Sequence, residues 1–259
     1  MKHTGSVRPQ LQRKILSAKR MLLILDFDGT LAKIAKRPDE VVLEKKTIKA
    51  LTVLSKSSFY KLAVVSGRAL ENLKSFFRIE KIIYAGNHGL ELEGGISLPE
   101  KARKAKKLEA LVWLLGEKLR GDLSNVPGIL IEDKNYTLSI HYRTISREYY
   151  PFFNQEIERF RKQYSHWPLV WRRGKKVWEV RPAVRWGKGE LALYLTKKFP
   201  GALPIVIGDD DTDEDMFKIL KRRGITIRVG RSKKSSAEFY VNSSKEVMVF
   251  LERLSCANA

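Results

Sequence analysis

Met21-Leu22-Leu23-Ile24-Leu25-Asp26-Phe27-Asp28-Gly29-Thr30-Leu31 is the stretch from which the rest of the chain is read. Five apolar residues in succession, closed by Asp and Gly, predict a short strand buried on both faces, as in a parallel sheet. Two carboxylates stand at its end with spacing i, i+2. The period-2 geometry of a strand puts both on one side and turns Phe27 to the other, into packing. In open parallel sheets, ligands bind at the carboxyl ends of the strands. Two like charges this close need a cation or a shared proton, so the strand end is expected to hold a metal and carry chemistry.

Outward from this strand the same rhythm repeats. Glu44 to Ser55 carries Ile48, Leu51 and Leu54 on one helical face. Leu62–Val65 predicts a second buried strand, Leu70 to Phe77 a helix, and Ile82–Tyr84 a third strand ending in Gly86-Asn87-His88-Gly89. Strands alternating with helices predict an α/β fold with a doubly wound parallel sheet. Before it, residues 1–20 are basic, with Leu11 and Ile15 at helical spacing, and a loop containing Pro38 follows Thr30. Past Gly94-Gly95 the rhythm changes. A basic helix from Pro99 to Arg120, a hairpin of Gly128–Glu132 and Tyr136–Tyr142 about Asp133-Lys134-Asn135, a helix from Arg147 to Tyr164 and a strand at Val177–Arg181 predict an inserted α+β module. The expected division is 1–94 with 184–259 as the core, and 95–183 as the insert. The α/β rhythm resumes at Gly187 with a helix to Lys198, the strand Ile205–Ile207, a helix ending at Leu220, the strand Ile225–Val229 and a closing helix.

The 259 residues suffice for a full core, and 43% hydrophobic content suits a globular protein. No apolar run approaches the roughly 20 residues that cross a bilayer. A single cysteine, Cys256, excludes an internal disulfide, and no export signal is evident, so a cytoplasmic monomer is expected. Fifty Lys and Arg face 29 Asp and Glu, a formal charge of +21. That excess suits an anionic partner (a phosphorylated substrate, nucleic acid or an acidic membrane surface) or simply a solvated surface. Local clusters stand at Lys101–Lys107, Arg172–Lys176, Lys221–Arg223 and Arg231–Lys234. No nucleic-acid motif accompanies them, so specific nucleic-acid binding is not expected.

Four predicted strand or helix ends carry polar residues suited to one site. Asp26 and Asp28 come first. Ser66, in Ser66-Gly67-Arg68, offers a hydroxyl, either as a turn or helix cap or as a donor to a phosphoryl oxygen. Lys188 lies between Gly187 and Gly189 at a helix start, which suits a solvated residue or an anion site. Gly208-Asp209-Asp210-Asp211-Thr212-Asp213-Glu214-Asp215 holds more carboxylates than capping requires, and a hard divalent cation, Mg²⁺, would offset their repulsion.

The order Asp-x-Asp-Gly-Thr, Ser-Gly-Arg, Lys, Gly-Asp-x-x-x-Asp resembles the motif set of the haloacid dehalogenase superfamily of phosphatases. With Gly-Asn-His-Gly-Leu-Glu, Ser-Ile-His-Tyr-Arg, Glu-Val-Arg-Pro and Gly-Lys-Gly in sequence, residues 20 to 255 resemble the trehalose-6-phosphate phosphatases. The resemblance implies Asp26 as nucleophile, Asp28 as acid and base, and Lys188 as neutraliser of charge. It places Thr30, Ser66 and Gly67 at the phosphoryl group. Asp26, Asp209 and the backbone carbonyl of Asp28 would ligate Mg²⁺, with Asp213 behind them. The choice of Asp209 over Asp210 or Asp211 rests on the family pattern alone. The implied reaction is hydrolysis of trehalose 6-phosphate through an aspartyl-phosphate, with a functional link to a trehalose-6-phosphate synthase.

The insert corresponds to that family's α/β cap, which reads the sugar. Candidate sugar contacts are Asn87 and His88 from the core, with Glu132, Lys134, Glu179 and Arg181 from the cap; each also reads as an ordinary surface ion pair or strand-edge charge. His141 and Arg143 read as structural, and Trp167, Trp171 and Trp178 as cap core. Two positions depart from the family pattern: Phe27 replaces a common Tyr, and Asn87 an often acidic residue. Alternatives are a sucrose-phosphate or mannosylglycerate-phosphate phosphatase, a phosphotransferase, or a silent regulatory homologue.

Overall fold

The computed structural model describes residues 1–35, 40–174 and 176–257; the expected loop residue Pro38, and Lys175 of one basic cluster, lie outside them. The chain divides into two compact units, residues 1–97 with 186–259, and residues 98–185.

The first unit starts with β1 (Lys2–His3) and α1 (Arg8–Leu16), then β2 (Met21–Asp26), α2 (Lys45–Lys56), β3 (Tyr60–Val65), α3 (Leu70–Phe76), β4 (Ile82–Gly86) and β5 (Glu91–Glu93). The second unit holds α4 (Glu100–Arg103), α5 (Glu109–Asp122), β6 (Leu130–Asp133), β7 (Leu138–His141), α6 (Tyr150–Gln163), β8 (Leu169–Gly174) and β9 (Val177–Pro182). The chain then returns with α7 (Lys188–Lys198), β10 (Leu203–Gly208), α8 (Glu214–Leu220), β11 (Ile225–Val229), β12 (Phe239–Val241) and α9 (Ser244–Ala257).

The first unit's sheet runs β1-β12-β11-β10-β2-β3-β4-β5, parallel throughout except for β5 at one edge. All six residues of β2 are buried, and alternate side chains enter opposite cores. Met21, Leu23 and Leu25 pack with Leu51 and Leu54 of α2 and with Val247 and Leu251 of α9. Leu22 and Ile24 pack with Leu191 and Leu195 of α7 and with Phe217 and Leu220 of α8. A strand sandwiched between two helical layers must be apolar on both faces, which is why this segment lacks the alternation of a half-exposed strand. Phe27 continues the alternation into the first core, beside Phe76 and Phe77. The α/β, doubly wound expectation is met.

The second unit is an antiparallel sheet, β6-β7-β9-β8, with its own core. Leu138, Ile140, Trp178 and Val180 pack against Val112, Leu115 and Leu119 of α5 and Phe153, Ile157 and Phe160 of α6. Trp178 belongs to this core, with Trp167 and Trp171 half-buried against it, so the indoles serve packing as expected. The continuous helix expected from Pro99 to Arg120 is interrupted: a 3₁₀ segment, Lys104–Leu108, separates α4 from α5. The tighter winding keeps Ala102 and Ala105 both buried, one 3₁₀ turn apart, while the lysines between and beyond them stay exposed.

Candidate active site

The carboxyl ends of β10, β2 and β3, three neighbours at the sheet's centre, converge with the N-terminus of α7. Each strand ends where its apolar run meets a residue that needs a polar partner, and helical packing on both faces fixes those ends.

Asp26, the last residue of β2, is buried, and its Oδ1 accepts a hydrogen bond of 2.7 Å from Lys188 Nζ. Its Oδ2 is buried without a hydrogen-bond partner among the described residues. Lys188 also donates to Asp213 Oδ1 at 2.8 Å, so one buried ammonium joins two buried carboxylates. Asp213 Oδ2 accepts the backbone N–H groups of Asp209 (2.8 Å) and Asp210 (3.1 Å). Both oxygens of Asp213 are thereby engaged within the protein, which makes it the anchor of the acidic loop. Gly208 is required for this fold-back: a Cβ there would lie 2.3 Å from the Asp213 carboxyl carbon.

The turn after β2 brings a second close approach. Gly29 has φ +86°, and a Cβ on it would stand 2.2 Å from Asp209 Oδ2. The glycine of Asp-x-Asp-Gly-Thr therefore both makes the turn and leaves room for a carboxylate from β10. Asp26, Asp209 and Asp213 each present a carboxylate oxygen within 4.8 Å of the others.

Burial holds the Asp26 carboxyl well above the ordinary carboxylate range; Asp213 adds to this and Lys188 opposes it. Burial also pushes Asp209 up to about 7 and Asp213 up to about 6. Burial works against charge on Lys188 too, but Asp213 and Asp26 outweigh it and hold the ammonium protonated. Asp210 differs. Burial opposes its charge, yet Lys188 and the hydrogen bonds from Thr212 bring it to about 2. Its Oδ1 closes a turn onto Thr212 and Asp213, and by surface area both Asp210 and Asp211 are exposed.

One ammonium among Asp26, Asp209 and Asp213 leaves negative charge uncompensated in a buried site. The orphaned Oδ2 of Asp26 and the Asp209 carboxylate, which makes no side-chain hydrogen bond or ion pair among the described residues, fit a hard, oxygen-seeking dication. Thr30, fully buried, also has a hydroxyl oxygen without a partner among the described residues. Ser66, buried at the end of β3, accepts the backbone N–H of Arg68 at 3.1 Å. Gly67 packs so closely on His88 that a Cβ would meet the imidazole at 2.7 Å.

Arg68 is the residue whose part sequence reasoning missed. It grips Asp28 with two parallel hydrogen bonds, Nε to Oδ2 at 2.8 Å and Nη2 to Oδ1 at 2.7 Å. The guanidinium also donates to Asn72 Oδ1 at 2.9 Å and lies over the Phe27 and Phe76 rings. The only signal was its place in Ser-Gly-Arg, where an arginine reads equally as a solvated loop residue.

Asn87 and His88 both have left-handed backbones (φ 47° and 57°) and sit buried after β4. The Asn87 amide donates to Glu91, whose same oxygen accepts the Leu70 N–H, so Asn87 braces the loop. In the second unit, the strand register places Glu132, Ser139, Glu179 and Arg172 in one row across the sheet, on the face opposite its core. Lys134 Nζ lies 3.7 Å from Glu179 Oε1, Arg181 also binds Glu179, and His141 Nε2 meets Glu132 Oε2 at 3.0 Å. The structure thus gathers all four cap candidates on one polar sheet face. Asn135, with φ 69°, makes the β6–β7 turn as its N–H reaches Asp133 Oδ1.

Comparison with known proteins gives a consistent answer. Residues 24–246 match the family model described as trehalose-phosphatase. Probable trehalose-phosphate phosphatase E of Arabidopsis thaliana is 32% identical over 91% of this chain and 70% of its own length. Trehalose-phosphate phosphatase B of the same plant is 30% identical, over 91% of this chain and 66% of its own. The chain therefore spans about two thirds of these relatives. Among solved structures, the C-terminal domain of the Candida albicans trehalose-6-phosphate phosphatase superposes with a TM-score of 0.79 at 24% identity, covering 96% of this chain and 97% of that one. The C-terminal domain of the Candida albicans trehalose synthase regulatory protein has the same fold, with a TM-score of 0.68 at 15% identity over 94% and 97%. With the family model covering most of the sequence and a relative above 30% identity, the chain belongs to the trehalose-phosphatase family.

Proposed function

We propose that this chain hydrolyses trehalose 6-phosphate to trehalose and phosphate, with Asp26 as the nucleophile. The observation that carries the reading is the buried Asp26 carboxylate, tied to Lys188 through one oxygen and unpartnered at the other. The Asp26 carboxylate attacks phosphorus through one of its oxygens, the bond from phosphorus to the sugar oxygen breaks, and an aspartyl-phosphate forms. Asp28 gives the leaving oxygen its proton and takes one from the water that then attacks phosphorus, freeing phosphate and regenerating Asp26. Arg68 orients Asp28 through its paired hydrogen bonds. Lys188 holds Asp26 in place and balances charge that builds on the phosphoryl group. Thr30, Ser66 and Gly67 supply groups for the phosphoryl oxygens.

Asp26, Asp209 and the Asp28 carbonyl would hold Mg²⁺, with Asp213 fixing Lys188 and the loop behind them. When bound, the ion offsets the negative charge of the carboxylates and the phosphoryl group. Lys134, Glu179, Arg181 and Glu132 are proposed to read sugar hydroxyls, since a face of paired charges offers both donors and acceptors. A functional link to a trehalose-6-phosphate synthase belongs to the same reading. The regulatory alternative shares the fold, as the Candida albicans neighbour does. What favours turnover here is the intact set Asp26, Asp28, Lys188 and Asp209.

The test is phosphate release with Mg²⁺ from trehalose 6-phosphate, sucrose, glucose and mannosyl phosphates. A preference of about a hundredfold in kcat/KM for the trehalose ester, about 2.7 kcal/mol, supports the assignment. Equal slow rates would remove the substrate, and an active Asp26→Asn variant would remove the nucleophile.

A further inference from the structure

Lys101, Arg103, Lys104, Lys106 and Lys107 occupy five of seven consecutive positions and are all exposed. None of their side chains forms an ion pair or hydrogen bond with another described residue, unlike Lys74, Arg159 or Lys188. Between them, Ala102 and Ala105 are buried, so one side of the segment lies against protein while its charged side chains are exposed. The next turns of α5 expose Trp113, at 55%, and Leu114, at 37%. Three exposed acidic residues stand close in sequence, Glu100, Glu109 and Glu117, and Glu117 is paired with Arg120. The net character is a cationic shelf beside a small apolar step.

We propose that this face is a docking surface for a bilayer carrying anionic lipid headgroups. Cations without ion pairs among the described residues lose none when they meet an anionic plane, and each adds to the attraction within a Debye length. Trp113 has an apolar body with one polar N–H, which suits the headgroup boundary, and Leu114 has use for the acyl region just below it. A nucleic acid would satisfy the lysines but offers no apolar phase to Leu114. The helix does not insert, because its apolar stripe (Val112, Leu115 and Leu119) is already buried in the protein. Attachment is therefore peripheral and reversible, and it uses no residue of the proposed active site.

Co-sedimentation of the full chain with vesicles of phosphatidylcholine, with and without one third phosphatidylglycerol, tests the proposal. Binding is expected only to the anionic vesicles, to weaken from low to physiological salt, and to fall roughly a hundredfold in Lys101→Gln/Lys104→Gln/Lys107→Gln. Trp113→Ala should lose several-fold on the same vesicles with unchanged salt dependence. Unchanged circular dichroism and phosphatase rate in both variants show that the fold survives. Absence of binding at low salt, equal binding to neutral vesicles, a triple variant that binds like the parent, or tighter binding to single-stranded RNA than to anionic vesicles would each overturn it.

Discussion

Replacing Lys188 with Met isolates the ion pair at the centre of the site. The ammonium bridges Asp26 at 2.7 Å and Asp213 at 2.8 Å, with side-chain exposures of 3%, 5% and 0%. Methionine keeps the volume but strands both carboxylates where they are almost wholly buried. Removing one partner of a buried ion pair costs about 3–5 kcal/mol, because the charge left behind is uncompensated. For a protein of this size each kcal/mol moves the melting midpoint by about 2–4 °C, so a fall of roughly 6–20 °C is expected. The assay is a thermal melt followed by circular dichroism, in chelator, so that added cations cannot replace the ammonium. Lys188→Met/Asp213→Asn removes one stranded charge and should regain more than half of the loss. A single variant melting within about 2 °C of the parent would refute the ion-pair reasoning, since that shift corresponds to about 1 kcal/mol at most. No recovery in the double variant would show that lost packing, rather than stranded charge, was responsible.

Three other expectations follow from single contacts. Arg68→Ala should lower kcat about tenfold to a hundredfold with little change in KM, a part of what general acid–base catalysis contributes, and Arg68→Lys should rescue only partly because lysine cannot form the fork; an unchanged kcat would remove Arg68 from the positioning of Asp28. Gly208→Ala should cost about 2 kcal/mol or more in urea unfolding, since its Cβ must displace a carboxylate bound by two backbone N–H groups and Lys188; parent-like stability would show that the acidic loop yields freely. Glu246 is held below its usual range of 4.5: burial works the other way, but hydrogen bonds from Asn242 and His3 outweigh it. A depressed carboxylate stabilises the fold above its unfolded pKa and loses that contribution as pH falls through the folded value, so Glu246→Gln should flatten the acid limb of stability below about pH 4.5; an identical acid limb would contradict it.

The core was legible because its strands are buried on both faces and thus stand out as unbroken apolar runs. Met21–Leu25, Leu62–Val65 and Ile205–Ile207 all lie inside the strands they predicted. The elements missed are those with no such run. β5 is Glu91–Glu93, β12 is three residues long, and β8 ends in Arg172-Arg173-Gly174 with its outer half exposed. Their pairing partners, rather than their own composition, make them strands. The hairpin of the second unit starts at Leu130 and ends at His141, inside the expected limits, since the flanking residues gain no ladder partner.

The same contrast separates the two halves of the candidate site. The aspartates at the ends of β2 and β10 follow apolar runs, so sequence position alone brings them to neighbouring strand ends. What sequence could not supply is the division of labour among them. Asp213 became an anchor because Gly208 lets it reach back to two N–H groups, and Asp209 remained unengaged because Gly29 leaves room for its carboxylate. Gly29 and Gly208, 179 positions apart in the sequence, thus decide which carboxylates stay open for a ligand. Arg68 was hidden for the opposite reason. Its motif marks a turn, whereas its role arises from a partner forty positions away and from two phenyl rings beneath it. On the second unit's polar sheet face even the pattern fails to discriminate, because Glu132, Lys134, Glu179 and Arg181 pair with neighbours as ordinary sheet-face charges do. A change such as Glu179→Gln separates the two meanings: an ordinary ion pair alters stability alone, whereas a sugar contact raises KM for the disaccharide phosphate and leaves a small aryl phosphate unaffected.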